Sequence, residues 1–102
     1  MDKKHFFLKL IGNRPTFPQD ITPQEQEIMK NHSKYWMEFM KEGILLIYGP
    51  VSDPKGTYGM AVVEIEDENQ IPSMIANDPA VINNLGTYEY YPMKAITPAK
   101  MK

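Results

Sequence analysis

The sequence contains no cysteine. That excludes disulfides, thiolate nucleophiles and cysteine-bearing zinc sites, and it is a composition that a reducing cytoplasm permits. Histidine is scarce as well. His5 and His32 stand too far apart for an HxH or HExxH pattern, so the sequence points to no metal. There is one arginine, Arg14, and the lysines are mixed with acidic residues to a net charge of −2. Without a basic stripe to follow a phosphate backbone, nucleic-acid binding is not expected. Long apolar runs are also missing. The stretch from Phe6 to Ile11, behind Met1-Asp2-Lys3-Lys4, is broken by Lys9 and falls short of a signal-peptide core or a membrane span of about 20 residues. A cytoplasmic protein without membrane association is expected. No glycine-rich phosphate loop or other cofactor motif stands out, so no cofactor is expected.

What is present is the composition of a folded domain: 42% hydrophobic and 24% charged residues, with no low-complexity tract. This decides against disorder, and the length suits a single domain over residues 1–102. Residues 5–11 are rich in large apolar side chains and stop at Gly12, which reads as a strand. Pro15 and Pro18 mark a loop. Thr22-Pro23-Gln24-Glu25 then opens a helix: Thr22 can cap it, Pro23 suits its first position, and Glu25 can close a capping box. The helix runs to about Glu42 and ends at Gly43. The continuous apolar run at 44–48 predicts a central strand, ended by Gly49-Pro50. After a loop at 50–56, Tyr58 to Ile65 forms a third strand. A second helix starts near Asp67, or later with Pro72 in its first turn, and ends near Asn77. Asp78-Pro79 makes a turn. Residues 87–96 form the last strand, with Pro92 at an edge or bulge, and the tail from Thr97 to Lys102 is expected to be loose.

The resulting order, βαββαβ, predicts an α+β ferredoxin-like fold: a four-stranded antiparallel sheet with two helices on one face. The opposite face is left open and apolar, which marks a partner surface. A homodimer about a two-fold axis covers such a face most simply.

On a helical wheel at about 100° per residue, Ile28, Met29, Tyr35, Trp36, Phe39 and Met40 fall in one stripe, with Met37 outside it. His32 lies in this stripe, about 40° from Ile28, and is therefore aimed at the sheet. A polar ring there needs hydrogen-bond partners. Burial lowers an imidazole's pKa and a carboxylate neighbour raises it, and together they suit proton transfer near neutrality. The plainer reading is a core histidine bonded to a backbone carbonyl. His5, near the terminus, is read as incidental.

Several segments carry a family resemblance. They are the first strand, His32 in the first helix, Glu42-Gly43-Ile44-Leu45-Leu46 running into Gly49-Pro50, Asn77-Asp78-Pro79, and Gly86-Thr87-Tyr88-Glu89 leading into the last strand. In this order and spacing they resemble the YCII-related family of the dimeric α+β barrel fold. The resemblance implies a His–Asp pair in a pocket between sheet and helices, here His32 and Asp78. It also implies proton transfer on small, often oxygenated or aromatic molecules, since one resembling branch dehydrochlorinates a small ring compound and a related fold group isomerises muconolactone. The loop after Gly49-Pro50 is short, the proline-rich stretch 13–23 replaces the usual segment before the histidine, and Pro72 interrupts the second helix. Substrate identity therefore does not carry over.

Each remaining candidate has two readings. Asp78 can serve chemistry or cap a short turn at 79–83, with one oxygen for each role. Gly49 and Pro50 let backbone approach a ligand, or simply end a strand. Trp36 can wall a pocket or fill the core. Tyr88 and Tyr90 share one strand face and can line the pocket or a dimer interface. Arg14 is a candidate clamp for a substrate carboxylate or a solvated loop charge. The expected function is a lyase or isomerase acting on a small molecule, with His32 and Asp78 as the acid–base pair. The alternative is a ligand-binding or interaction module of the same fold.

Overall fold

The computed structural model describes residues 3–98. The expected loose tail falls partly outside that range, in residues 99–102, as do residues 1–2 of the N-terminus. The elements are β1 (Lys4–Gly12), α1 (Pro23–Lys41), β2 (Leu45–Val51), β3 (Tyr58–Ile65), α2 (Gln70–Ala76), α3 (Pro79–Ile82) and β4 (Gly86–Met93). The strands form one antiparallel sheet in the order β2-β3-β1-β4. This is the α+β ferredoxin-like fold.

Alternation in β1 sets the two faces. Phe6, Leu8 and Leu10 point to the helices and are buried. Opposite them in register stand Val63, Ala61 and Gly59 of β3, and Pro92, Tyr90 and Tyr88 of β4. Trp36, Ile71 and Met74 close this layer from the helices. Leu8 is fully buried.

Helix α1 forms for the reasons legible in its first residues. The Thr22 hydroxyl accepts from the Glu25 N–H at 3.1 Å, and Glu25 accepts from the Thr22 N–H at 3.0 Å. Gly43 takes φ +79°, a left-handed conformation that suits glycine at a helix end. In α2, Pro72 is the third residue, where its missing N–H breaks no helical bond. The turn after Asp78 is helical and counts as a third, short helix, α3.

Three sequence expectations need correction. The run at 44–48 is not a central strand. Among the described residues β2 pairs only with β3, so it is an edge there, and Ile47 is 57% exposed on the face opposite the helices. Gly49-Pro50 does not end it either. β2 continues to Val51, and Pro50 is tolerated because an edge strand has an unpaired side. β4 stops at Met93 rather than Ile96, and its pairing with β1 ends there, with His5 opposite Met93. Pro92 does lie on an edge strand, as expected.

The open face carries an apolar row across all four strands. Ile47 pairs with Val62, Val62 with Phe7, and Phe7 with Tyr91. Beside it, Lys9 lies over the Tyr58 ring at 4.6 Å, and His5 Nε2 is 2.7 Å from Glu64 Oε2. Burial of Leu8 at the centre of the other face gives a direct test of the core. Leu8→Ala is expected to lower unfolding free energy by about 2–5 kcal/mol, read as a fall in the urea midpoint at unchanged slope.

Candidate active site

Three elements converge on one carboxylate. α1 presents His32 and Trp36 one turn apart on its sheet-facing stripe. Asp78 stands between α2 and α3 in extended conformation (φ −70°, ψ 126°), the geometry of an N-cap. β4 contributes Tyr88 from the sheet. Asp78 is wholly buried, so its charge depends on what these elements bring to it.

They bring four donors. The Ala80 N–H donates to Oδ1 at 2.9 Å. The Trp36 indole N–H donates to Oδ2 at 2.9 Å, and the Tyr88 hydroxyl donates to the same oxygen at 2.6 Å. His32 Nδ1 lies 2.8 Å from Oδ1 and 2.9 Å from Oδ2. Asp78 thus caps α3 and holds His32 at once.

Desolvation pushes the Asp78 carboxyl up. Hydrogen bonds from His32 and Tyr88, the charge of His32 and the bond from Trp36 outweigh it, and the pKa lies below its ordinary value. The group is therefore a carboxylate, which only accepts hydrogen bonds. It follows that Nδ1 of His32 carries the proton. In the neutral ring, Nε2 is then left with its lone pair. Nε2 makes no hydrogen bond among the described residues, and no fully buried side-chain nitrogen or oxygen there lacks a partner. This atom is therefore open to the cavity that the ring lines. Burial and the Asp78 charge push the Tyr88 hydroxyl far up, which fixes it as a donor. The same causes push Tyr35 up to about 12, and its hydroxyl donates to the Met74 carbonyl at 2.6 Å, tying α1 to α2.

The cavity has a volume of about 240 Å³. Met29, His32 and Trp36 wall it from α1, and Tyr48 and Tyr88 from the sheet, while Phe17 and Pro18 close it from the loop after β1. Phe17 lies so close to Gly12 that a Cβ there would meet its ring at 2.6 Å, so the loop needs glycine at that point. On the exposed side, Gln19 donates to the Thr57 hydroxyl at 3.1 Å, linking this loop to the β2–β3 connection.

Of the residues singled out from sequence, His32, Asp78, Trp36 and Tyr88 come together in one network, and Gly49 and Pro50 line the cavity. Tyr90 shares the helix-covered face with Tyr88 but packs edge-on against Phe6, so neither tyrosine belongs to the open face. Arg14 is not among the residues lining the cavity. Its guanidinium donates to both oxygens of Glu25, at 2.7 and 2.8 Å, and to Asp20 at 3.0 Å, and it sits over the Phe17 ring. These bonds tie the loop to the start of α1. Tyr48 and Ser33 were not foreseen as lining residues. Strict alternation from the buried Leu45 turns Tyr48 to the open face; the register irregularity between Leu45 and Ile47 brings it to the helix-covered one.

The network has an acid-pH signature. Because folding lowers the Asp78 pKa, the unfolded chain binds more protons in acid. The stabilisation is complete above the ordinary value of 3.8 and is lost as pH falls through the lower folded-state value. Asp78→Asn, which leaves several buried donors sharing one oxygen, is expected to cost about 3–5 kcal/mol at neutral pH. The wild type is then expected to lose stability more steeply than this variant below pH about 4, measured by denaturant midpoints across pH. The pairs of Arg14 with Asp20 and Glu25 are common to both chains and cancel.

Comparison with known proteins gives the family and the fold. No curated protein matches the chain significantly. Among solved structures, 5-chloro-2-hydroxyhydroquinone dehydrochlorinase from Burkholderia phenoliruptrix AC1100, in complex with 2,5-dihydroxybenzoquinone, is similar at TM-score 0.57 and 19% identity, over 89% of this chain and 95% of that one. The uncharacterised protein TM1266 from Thermotoga maritima is similar at 0.54 and 10% identity, over 91% and 100%. A variant of SnoaB, a cofactor-independent oxygenase from Streptomyces nogalater, is similar at 0.51 and 12% identity, over 95% and 96%. At such identities these likenesses speak for the fold alone. The profile of the YCII-related domain, however, matches residues 6–97, nearly the whole chain, and the protein therefore belongs to the YCII-related family.

Proposed function

We propose that the protein is a small-molecule enzyme of the lyase or isomerase type, with His32 as its acid–base group and Asp78 as the residue that orients it. The observation that carries this reading is the asymmetry of the His32 ring. Nδ1 is bound to a buried carboxylate, and Nε2 is open to a cavity. Nε2 would take a proton from an acidic carbon next to a carbonyl. The electron pair left on carbon then moves toward that oxygen, or expels a leaving group from the neighbouring carbon. The imidazolium formed is stabilised by Asp78, and it returns the proton at another atom in an isomerisation or releases it to solvent after an elimination. This chemistry needs no cofactor or metal. The dehydrochlorinase and the cofactor-independent oxygenase lend support as enzymes on the same fold. A cytoplasmic location belongs to the same proposal and rests on the sequence.

One observation favours a second reading, a pocket that binds without chemistry. Ala80, Trp36 and Tyr88 already satisfy much of Asp78, which also suits a purely structural tie. The two readings separate in deuterated water with a panel of small ring ketones and halogenated hydroxyquinols. The enzyme reading expects carbon-bound proton exchange or halide release, falling by about 10²–10⁴-fold in His32→Gln. The binding reading expects saturable binding, no product, and the same affinity in both proteins.

We also propose a homodimer through the open sheet face, supported by the apolar row Ile47–Val62–Phe7–Tyr91. Ile47 is exposed in the single chain, so Ile47→Lys leaves the fold intact. Sedimentation equilibrium is expected to give a dimer for the wild type and a monomer for the variant. A monomeric wild type would contradict the proposal.

A further inference from the structure

We infer that the cavity beside His32 takes an uncharged molecule of about one substituted ring carrying a hydroxyl or carbonyl oxygen, and that Tyr48 is the residue that binds this oxygen. This rests on the acid–base reading of His32 and adds the substrate class to it.

Size comes first. An apolar protein cavity of roughly 150 Å³ accepts a benzene molecule. At about 240 Å³, this cavity has room for one ring with substituents. Its walls suit a flat apolar body, with Phe17, Met29, Trp36 and Tyr88 among them.

Charge comes next. Among the described residues, no aspartate, glutamate, lysine or arginine lines the cavity. The only arginine is engaged by Asp20 and Glu25 outside it. Behind His32 lies the buried Asp78 carboxylate, so with a neutral imidazole the site carries one negative charge. A carboxylate ligand would lose its hydration here with no cation to receive it, beside a charge of the same sign. It would also favour the imidazolium, occupying the lone pair that proton abstraction requires.

The oxygen remains to be placed. Among the hydroxyls around the cavity, Tyr88 is committed to Asp78 and Thr57 accepts from Gln19. Tyr58 has its ring under Lys9. Ser33 also makes no hydrogen bond among the described residues, but it follows His32 directly on α1 and so does not lie across the cavity from it. Tyr48 is half-buried, makes no hydrogen bond among the described residues, and stands on β2 within the helix-covered face. Tyr48 lines the cavity from the sheet, while His32 lines it from α1.

The test compares phenol, benzoate and toluene by NMR titration of the wild type and Tyr48→Phe. Tyr48 makes no internal hydrogen bond, so the variant should fold. Phenol is expected to bind the wild type, benzoate at least tenfold more weakly, and Tyr48→Phe to weaken phenol about tenfold while leaving toluene unchanged. Benzoate binding as tightly as phenol, phenol unaffected by Tyr48→Phe, or no phenol binding at all would overturn the inference. None of these outcomes touches the deuterium-exchange assay. Conversely, exchange that survives His32→Gln would overturn the acid–base reading even with this binding pattern intact.

Discussion

The structure turns on a buried negative charge. A carboxylate removed from water is costly, by several kcal/mol even after relaxation, and Asp78 is wholly enclosed. It is held in that state by donors from three elements: His32 and Trp36 on the distant α1, Ala80 on the adjoining α3, and Tyr88 on β4. Each donor also fixes the element it comes from. The rotation of α1, the start of α3 and the register of β4 against β1 must all be correct before Asp78 is satisfied.

This constraint links stability to chemistry. The same bonds that keep Asp78 ionised decide which nitrogen of His32 bears the proton. Nδ1 is committed to the carboxylate, and Nε2 is thereby left with the lone pair that the proposed reaction uses. Trp36 and Tyr88 act through Asp78, while their rings also wall the space where a ligand would lie. In the proposed reaction they would position His32 as well as wall the cavity. Arg14 does for the loop what Asp78 does for the centre. Its ion pairs with Asp20 and Glu25 fix the segment that lays Phe17 over Gly12 and closes the cavity.

Much of this was legible in the sequence because it depends on local rules. Thr22-Pro23-Gln24-Glu25 encodes the start of α1, and helical periodicity then aims His32 and Trp36 at the sheet. Asp78-Pro79 encodes the cap of α3. What the sequence did not show is what depends on neighbours in space. The run at 44–48 looked covered on both sides, because an open apolar face and a buried one have the same composition. Pro50 looked like a strand end, because sequence does not reveal which side of an edge strand is unpaired. Arg14 reads from sequence as a candidate clamp or a solvated loop charge, and its partners Asp20 and Glu25 are visible only in space. Glu25 serves both Arg14 and the capping box, with Oε1 accepting from the Thr22 N–H and from Arg14. Tyr48 as a cavity residue was missed together with the edge status of β2.

The central claim is that Asp78 fixes the proton of His32 on Nδ1 and leaves Nε2 free. It is tested most directly by ¹⁵N NMR of the two imidazoles in the wild type and in Asp78→Asn, at a pH where the rings are neutral. The account expects the wild-type His32 to be the Nδ1–H tautomer, with a bare Nε2 whose resonance responds to ligand. In Asp78→Asn that preference should weaken, and His5, paired with Glu64 on the other sheet face, should not change. A wild-type His32 protonated on Nε2, or one indifferent to Asp78→Asn, would contradict the account.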